Sequence, residues 1–273
     1  MTEKSMTQEQ RLDLLVEAFK ADSVTYKDIQ TPSDTEGKRQ LLRSLMNIRM
    51  PGDMDERILA VQDEYLRERI RENGIVRPKD IPVIRDGMSV WQGDITRLAA
   101  DAIVNAANSQ MLGCFVPMHS CIDNCIHTFA GIQLRAECYA KMRELRMKYG
   151  DDYEQPTAVP MLTGGYNLPA KHVIHVVGPI VQGRLTHEHE QLLSQCYRNC
   201  LEMAEENHLE SIAFCCISTG VFMFPNRRAA EIAVKTVTEW LEETGSQMKV
   251  VFNVFKDNDL VLYKYCLDEQ EAE

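Results

Sequence analysis

The sequence predicts an α/β protein with a central, largely parallel sheet covered by helices on both faces, preceded by a helical extension. Three observations carry this reading. From Met88 onward, short apolar runs alternate with longer amphipathic stretches, the pattern of a parallel sheet with crossover helices. Before about Asn73 the chain is charge-rich, with apolar residues at helical spacing and few β-branched residues in those runs. The 273 residues are 44% hydrophobic and 26% charged, which suits one large domain with an appendage or two domains and is too apolar for a disordered chain.

In the extension, residues 1–75, Leu12, Leu15, Val16 and Phe19 form one apolar helical face. Leu41, Leu42, Leu45 and Met46 form a second, and Ile58, Val61 and Tyr65 a third. Breaks fall at Gln30-Thr31-Pro32-Ser33-Asp34 and Met50-Pro51-Gly52-Asp53, where Pro and Asp favour a turn and a new N-cap. Three helices this short are expected to lack a good core of their own and to pack on the rest of the chain. Gly74, Pro78 and Pro82 end the region.

The body, residues 83–268, is expected to place strands at Met88–Gln92, Ala102–Ala106, Ala158–Leu162, His172–Val177, Ser211–Ile217 and Lys249–Val254. Helices are expected at about Asp123–Lys148, His187–Asn207, Arg227–Glu243 and Asp257–Leu267. In such sheets the ligand crevice lies at the carboxyl ends of the strands, so the loops after Gln92, Ala106 and Ile217 are where chemistry belongs.

Composition narrows the function. A net charge of −11 argues against wrapping by DNA or RNA, which needs a basic face, and no aromatic platform interleaved with basic residues is present. Neither a Walker A sequence nor Gly-x-Gly-x-x-Gly occurs. No apolar run reaches the roughly 18–20 residues of a membrane span, and Met1–Gln10 is polar and charged rather than a signal segment. The expectation is a cytoplasmic protein with reduced thiols, since nine cysteines at irregular spacing do not make a disulfide framework.

Four loops stand out. Asp94, directly after a strand, can cap the segment that follows or accept a hydrogen bond from an exocyclic amine such as adenine N6. Asn105 and Asn108, in Val104-Asn105-Ala106-Ala107-Asn108, can form Asx-turns or present amides to a vicinal diol such as ribose. Cys114, His119 and Cys121 offer two thiolates and an imidazole within eight residues, a compact Zn²⁺ set with the fourth position open. The bland reading is a pair of buried apolar cysteines and a loop histidine, and Cys125, one turn beyond Cys121, could instead close the site as a fourth ligand. The loop Ser218-Thr219-Gly220-Val221-Phe222-Met223-Phe224-Pro225-Asn226, between a strand and a helix, can hold an anion on backbone N–H groups, so an acidic protein can still bind one pyrophosphate. Cys138, Cys196, Cys200, Cys215, Cys216 and Cys266 read as structural.

Taken in order, these loops resemble a macrodomain, the ADP-ribose-binding α/β/α module. The segments that carry the likeness to its MacroD-type branch are Gln92-Gly93-Asp94-Ile95-Thr96, Ile103-Val104-Asn105-Ala106-Ala107-Asn108, Thr163-Gly164-Gly165-Tyr166-Asn167-Leu168-Pro169-Ala170, His175-Val176-Val177-Gly178-Pro179 and Ile217-Ser218-Thr219-Gly220-Val221-Phe222. The helical extension and the Cys-x4-His-x-Cys insertion further resemble the zinc-containing macrodomains of bacteria and fungi. That resemblance implies a protein ADP-ribosyl hydrolase acting on mono-ADP-ribosylated protein, in such systems a lipoyl carrier protein modified by a sirtuin-type transferase.

It also implies roles. Asp94 would hold adenine N6 and Ile95 would contact the ring through its backbone. Asn108, supported by Asn105, would orient the distal ribose, and Asp123 corresponds to the aspartate implicated in MacroD catalysis. The amides of Thr219, Gly220, Val221 and Phe222 would receive the phosphates, Phe222 would pack against the distal part of the ligand, Ser218 would join them in binding substrate, and zinc would sit on Cys114, His119 and Cys121. Two departures are visible: the cysteine and histidine segment replaces the usual Gly-rich loop before Asp123, and Met223 stands where such proteins commonly have Gly. The competing reading is a module that binds ADP-ribose without cutting it and uses zinc as a structural clip.

Overall fold

The structure is a computed structural model that describes residues 6–269; the first five residues, part of the segment read as lacking a leader, and the last four lie outside it. Three helices open the chain: α1 (Gln8–Asp22), α2 (Thr35–Ile48) and α3 (Glu56–Asn73). Each starts on a polar cap, Thr7 in a capping box with Gln10, Asp34 accepting from the Gly37 N–H, and Asp55 accepting from the Arg57 N–H.

The expectation that these helices lack a core is corrected by the structure. Leu12, Leu15, Val16, Phe19, Leu42, Leu45, Met46, Tyr65 and Leu66 form a buried cluster separate from the main one. α1 packs on both α2 and α3, so the three apolar stripes converge on one another instead of each seeking the sheet. Each such buried side chain contributes on the order of 1.5–3 kcal/mol before entropy is charged. The extension also docks on the body, where the buried Arg135 donates to the carbonyls of Met46 (3.1 Å) and Arg49 (2.6 Å) while its Nε is held by the body's own Leu112 carbonyl (2.8 Å).

The body runs β1 (Met88–Gln92), β2 (Ala102–Ala107), α4 (Ile122–Ala130), α5 (Ile132–Tyr149), β3 (Met161–Gly164), β4 (His172–Val177), α6 (His187–Glu206), β5 (Ser211–Phe214), α7 (Asn226–Thr244), β6 (Lys249–Val254) and α8 (Asp257–Glu269). The strands form one sheet in the order β1-β6-β5-β2-β4-β3, with every neighbouring pair parallel except β3 against β4. Helices α6, α7 and α8 pack in sequence along one face, while α4 and α5 cover β2 and β3 on the other, giving three α/β/α layers. The interior of β2, β4, β5 and β6 is buried on both faces, as a covered parallel sheet requires, and is mostly apolar, with Asn105, His175 and Asn253 as buried polar exceptions.

Three expected elements differ. The single helix expected over Asp123–Lys148 is two, because Gly131 (φ +95°) ends α4 and begins α5 in a backbone conformation that L-residues avoid. The third strand begins at Met161 rather than Ala158, since Ala158 is left-handed (φ +64°) with its N–H on the Val177 carbonyl, and Pro160 has no N–H to give. The fifth strand stops at Phe214, three residues short, because the chain leaves the sheet there to build the loop at Ser218. Parallel pairing brings the carboxyl ends of β1, β2, β4 and β5 to one edge of the sheet.

Candidate active site

At the end of β1, Asp94 caps a short 3-10 turn, Ile95–Arg97, and its Oδ1 accepts from the Thr96 N–H (2.9 Å) and the Thr96 hydroxyl (2.7 Å). The capping role read from the sequence is present, and both of these bonds fall on one carboxylate oxygen. Ile95 is buried beside it.

β2 delivers the two asparagines differently. Asn108, half-buried just past the strand, accepts from the Gln110 N–H (3.0 Å) and donates to the Gly113 carbonyl (3.3 Å), an Asx-type turn that fixes its amide at the carboxyl end of β2. Asn105 is fully buried and lies opposite His175 of β4 in the sheet register. Its Nδ2 donates to Asp123 Oδ1 (2.7 Å) and to His175 Nδ1 (3.0 Å). An amide NH₂ has two hydrogens, so both are used, His175 Nδ1 is the acceptor, and its Nε2 proton points to the Thr163 hydroxyl at 3.0 Å.

This makes a hydrogen-bonded chain of four buried residues, Thr163, His175, Asn105 and Asp123, running from the sheet to α4. Burial holds His175 neutral, with its pKa pushed down to about 3, and holds His127 well below the usual imidazole value. Burial also pushes the Asp123 carboxyl up to about 6, opposed by the Asn105 amide and the Arg135 charge. His127 Nε2 stands 3.5 Å from Asp123 Oδ1. The sequence alone assigns no role to His175 or Thr163, because the contacts of His175 with Asn105 and with Thr163 depend on strand register. Cys138, read as isolated, lies 3.8 Å from His175 Nε2 and is a buried core residue, as are Cys196, Cys200 and Cys215.

Between β2 and α4 the loop folds so that donor atoms of Cys114, His119 and Cys121 lie within 4.8 Å of one another. Cys114 Sγ is 3.6 Å from His119 Nδ1. Two ligands bound at about 2.3 Å (S) and 2.0–2.1 Å (N) on a tetrahedral ion stand about 3.6 Å apart, so the observed spacing and the two-thiol, one-imidazole chemistry both fit Zn²⁺. Cys121 is the N-cap of α4, its Sγ accepting from the Asn124 N–H at 3.4 Å, and burial pushes its thiol up to about 12. Cys125 falls outside this group; its Sγ lies 3.6 Å from the Arg43 guanidinium.

The loop after β5 is built from its own backbone. Ser218 (φ +64°) and Met223 (φ +57°) are both left-handed, and N–H bonds from Phe224 to the Ser218 carbonyl (3.0 Å), Met223 to Gly220 (3.0 Å) and Val181 to Phe222 (2.9 Å) close it. Thr219 donates to the Cys216 carbonyl over a long 3.4 Å, whereas among the described residues the amides of Gly220, Val221 and Phe222 donate to no backbone carbonyl. Gly178, at the end of β4, lets this loop approach: a Cβ there would stand 2.1 Å from Ser218 Oγ. Helix α7 starts just beyond, at Asn226, so its N-terminus faces the same edge.

Comparison with known proteins identifies the family. Residues 104–233 match the model of the Macro domain family. The protein-ADP-ribose hydrolase of Treponema medium is 50% identical over 262 residues, spanning 94% of this chain and 98% of its own. Among solved structures, the Oceanobacillus iheyensis macrodomain with ADP superposes with a TM-score of 0.60 at 35% identity, covering 70% of this chain and 95% of its own. The Trypanosoma brucei macrodomain in complex with ADP-ribose gives 0.62 at 28% identity over 82% and 94%. The chain belongs to the macrodomain family, on the branch of the ADP-ribosyl hydrolases.

Proposed function

We propose that this chain removes mono-ADP-ribose from modified protein side chains, with a zinc ion on Cys114, His119 and Cys121 beside the distal ribose. The observation that carries the reading is that the adjacent strands β2 and β5 lead into two loops at one sheet edge, the first carrying Asn108 and the three gathered soft donors ahead of Asp123, the second lined with backbone amides. Asp94, with Oδ1 engaged in capping, offers its second oxygen to the adenine amine, while the Ile95 backbone contacts the ring. The amides of Gly220, Val221 and Phe222 receive the pyrophosphate at the N-terminal end of α7, with Ser218 and Thr219 shaping the turn.

The bond to be broken joins the anomeric carbon of the distal ribose to the protein, and positive charge develops on that carbon as the protein leaves. Asn108 orients the ribose hydroxyls, and Asp123, held in place by Asn105, directs a water toward the carbon and takes its proton. When bound, Zn²⁺ supplies positive charge to a ribose hydroxyl or a water, damped by two thiolates. The family resemblance suggests, as the protein acted on, a lipoyl carrier protein modified by a sirtuin-type transferase, in the cytoplasm.

The rival, a reader with a closed four-ligand zinc, draws less support: Cys125 is outside the donor group and its thiol is engaged by Arg43. The test incubates a mono-ADP-ribosylated carboxylate substrate with native, metal-stripped and Asn108→Ala protein. Native protein is expected to release ADP-ribose, and the other two to release it at least about a hundredfold more slowly. Binding without release by native, zinc-replete protein overturns the hydrolase reading in favour of the reader.

A further inference from the structure

The loop that gathers Cys114, His119 and Cys121 does not hold itself. Between its two cysteines, among the described residues, the backbone makes one bond to itself, from the His119 N–H to the Val116 carbonyl at 3.2 Å. Further tethers are side chains, two of them from the helical extension and one, Asn124, from α4. Arg43 Nη2 donates to the His119 carbonyl (2.9 Å) and to Asn124 Oδ1 (2.8 Å). Asn47 accepts the Met118 N–H (3.0 Å), at a residue whose backbone is left-handed (φ +57°), and donates to the Thr128 hydroxyl on α4 (3.0 Å). Asn124, gripped by Arg43, in turn donates to the Val116 carbonyl (2.9 Å) and the Cys114 carbonyl (3.4 Å).

Arg43 and Asn47 are four residues apart on α2, so they leave the same face of the helix one turn from each other. Their partners are two backbone groups of the loop, the His119 carbonyl and the Met118 N–H, and side chains of α4, of which Asn124 holds the rest of the loop. The guanidinium also brings a positive charge to a segment carrying three thiols. The extension has its own apolar core and is fastened to the body by Arg135, so α2 is a firm base for both contacts.

We infer that the helical extension is a brace for the donor loop, with Arg43 and Asn47 as positioning residues that set Cys114, His119 and Cys121 at ligand spacing before an ion binds. The metal half of this inference rests on the zinc reading proposed above; the bracing half does not. A preorganised donor set loses less conformational freedom on binding, so affinity for the ion rises without any added ligand.

Two measurements on the full chain separate the halves. The first is amide hydrogen exchange of residues 113–121 in zinc-free protein, comparing native with Arg43→Met and Asn47→Ala. Exchange at least about tenfold faster in that segment, with protection of α1–α3 retained, is expected; unchanged exchange overturns the brace. The second is zinc affinity by competition with a chromophoric chelator. Arg43→Met is expected to bind zinc about tenfold more weakly, with partial recovery in Arg43→Lys, and affinity equal to native overturns the positioning role toward the ion. If native protein takes up no zinc, the zinc reading fails, and hydrogen exchange alone decides whether the brace exists. Should Asn47→Ala unfold, the Arg43 pair still decides both questions, because Arg43 is only half-buried.

Discussion

Two loops meet at the carboxyl edge of the sheet, and they reach order by opposite means. The Ser218–Phe224 loop is closed by its own backbone bonds and by two residues in left-handed conformation. The Cys114–Cys121 loop has little internal backbone bonding and is held by Arg43, Asn47 and Asn124 from outside. A loop that presents amides to an anion must aim its own N–H groups, so its geometry is local. One that presents side chains to an ion can leave its backbone irregular, provided something else fixes it. On the proposed reading, the difference would also reconcile a net charge of −11 with a pyrophosphate ligand, with one loop supplying partial charges from amides and the other taking its positive charge from a metal.

The comparison can be broken at several points. The largest effect is expected from Cys114→Ala combined with His119→Ala: loss of bound zinc, measured by elemental analysis, and a fall in turnover of about a hundredfold or more. Metal-free protein that turns over at the native rate would falsify the zinc role while leaving the amide loop untouched. Next, Gly178→Ala forces a Cβ into Ser218 Oγ and is expected to displace the other loop, costing about 1–3 kcal/mol of stability and at least tenfold in ADP-ribose affinity by calorimetry. Native affinity in that variant would show the loop tolerates the shift.

A pH experiment probes the buried chain behind both loops. The folded pKa values of His175 and His127 are depressed, so their stabilising contribution is present above the unfolded value of about 6.5 and is lost as pH falls, for His175 down to about 3. Asp123, raised to about 6, works in the opposite direction between about pH 4 and 6, one group against two. Urea denaturation from pH 7 to 4.5 should therefore show stability falling with acid, by about 1.4 kcal/mol per pH unit for each histidine at most. A profile unchanged in His175→Gln would mean that His175 is not the group responsible. The smallest effect is Met223→Gly, which removes a left-handed Cβ and is expected to change stability by under about 1 kcal/mol while leaving the amide loop able to bind.

What the sequence made legible was local. Strands β1, β4 and β6 begin and end where alternation predicts, and Asp94, Asn108 and the donor trio stand out as candidates by residue type and spacing. The Gly131 break escaped because a single residue that ends one helix and starts the next leaves the apolar period almost intact. The core of α1–α3 escaped because three stripes do not reveal whether they face one another or a sheet. The support of the site was hidden for the same reason. Asn105 meets His175 only through the β2–β4 register, and Arg43 reaches His119 from 76 residues away, with no motif linking them.

The placement of the brace ahead of the body also has a consequence for synthesis. A growing chain exposes α1–α3 before Cys114 is made, and at roughly 5–20 residues per second the interval from Asn73 to Cys121 is several seconds. Helices form in about a microsecond. The thiols thus leave the ribosome after their support has had ample time to assemble, which shortens the period in which they are unplaced and open to oxidation or to a wrong ion.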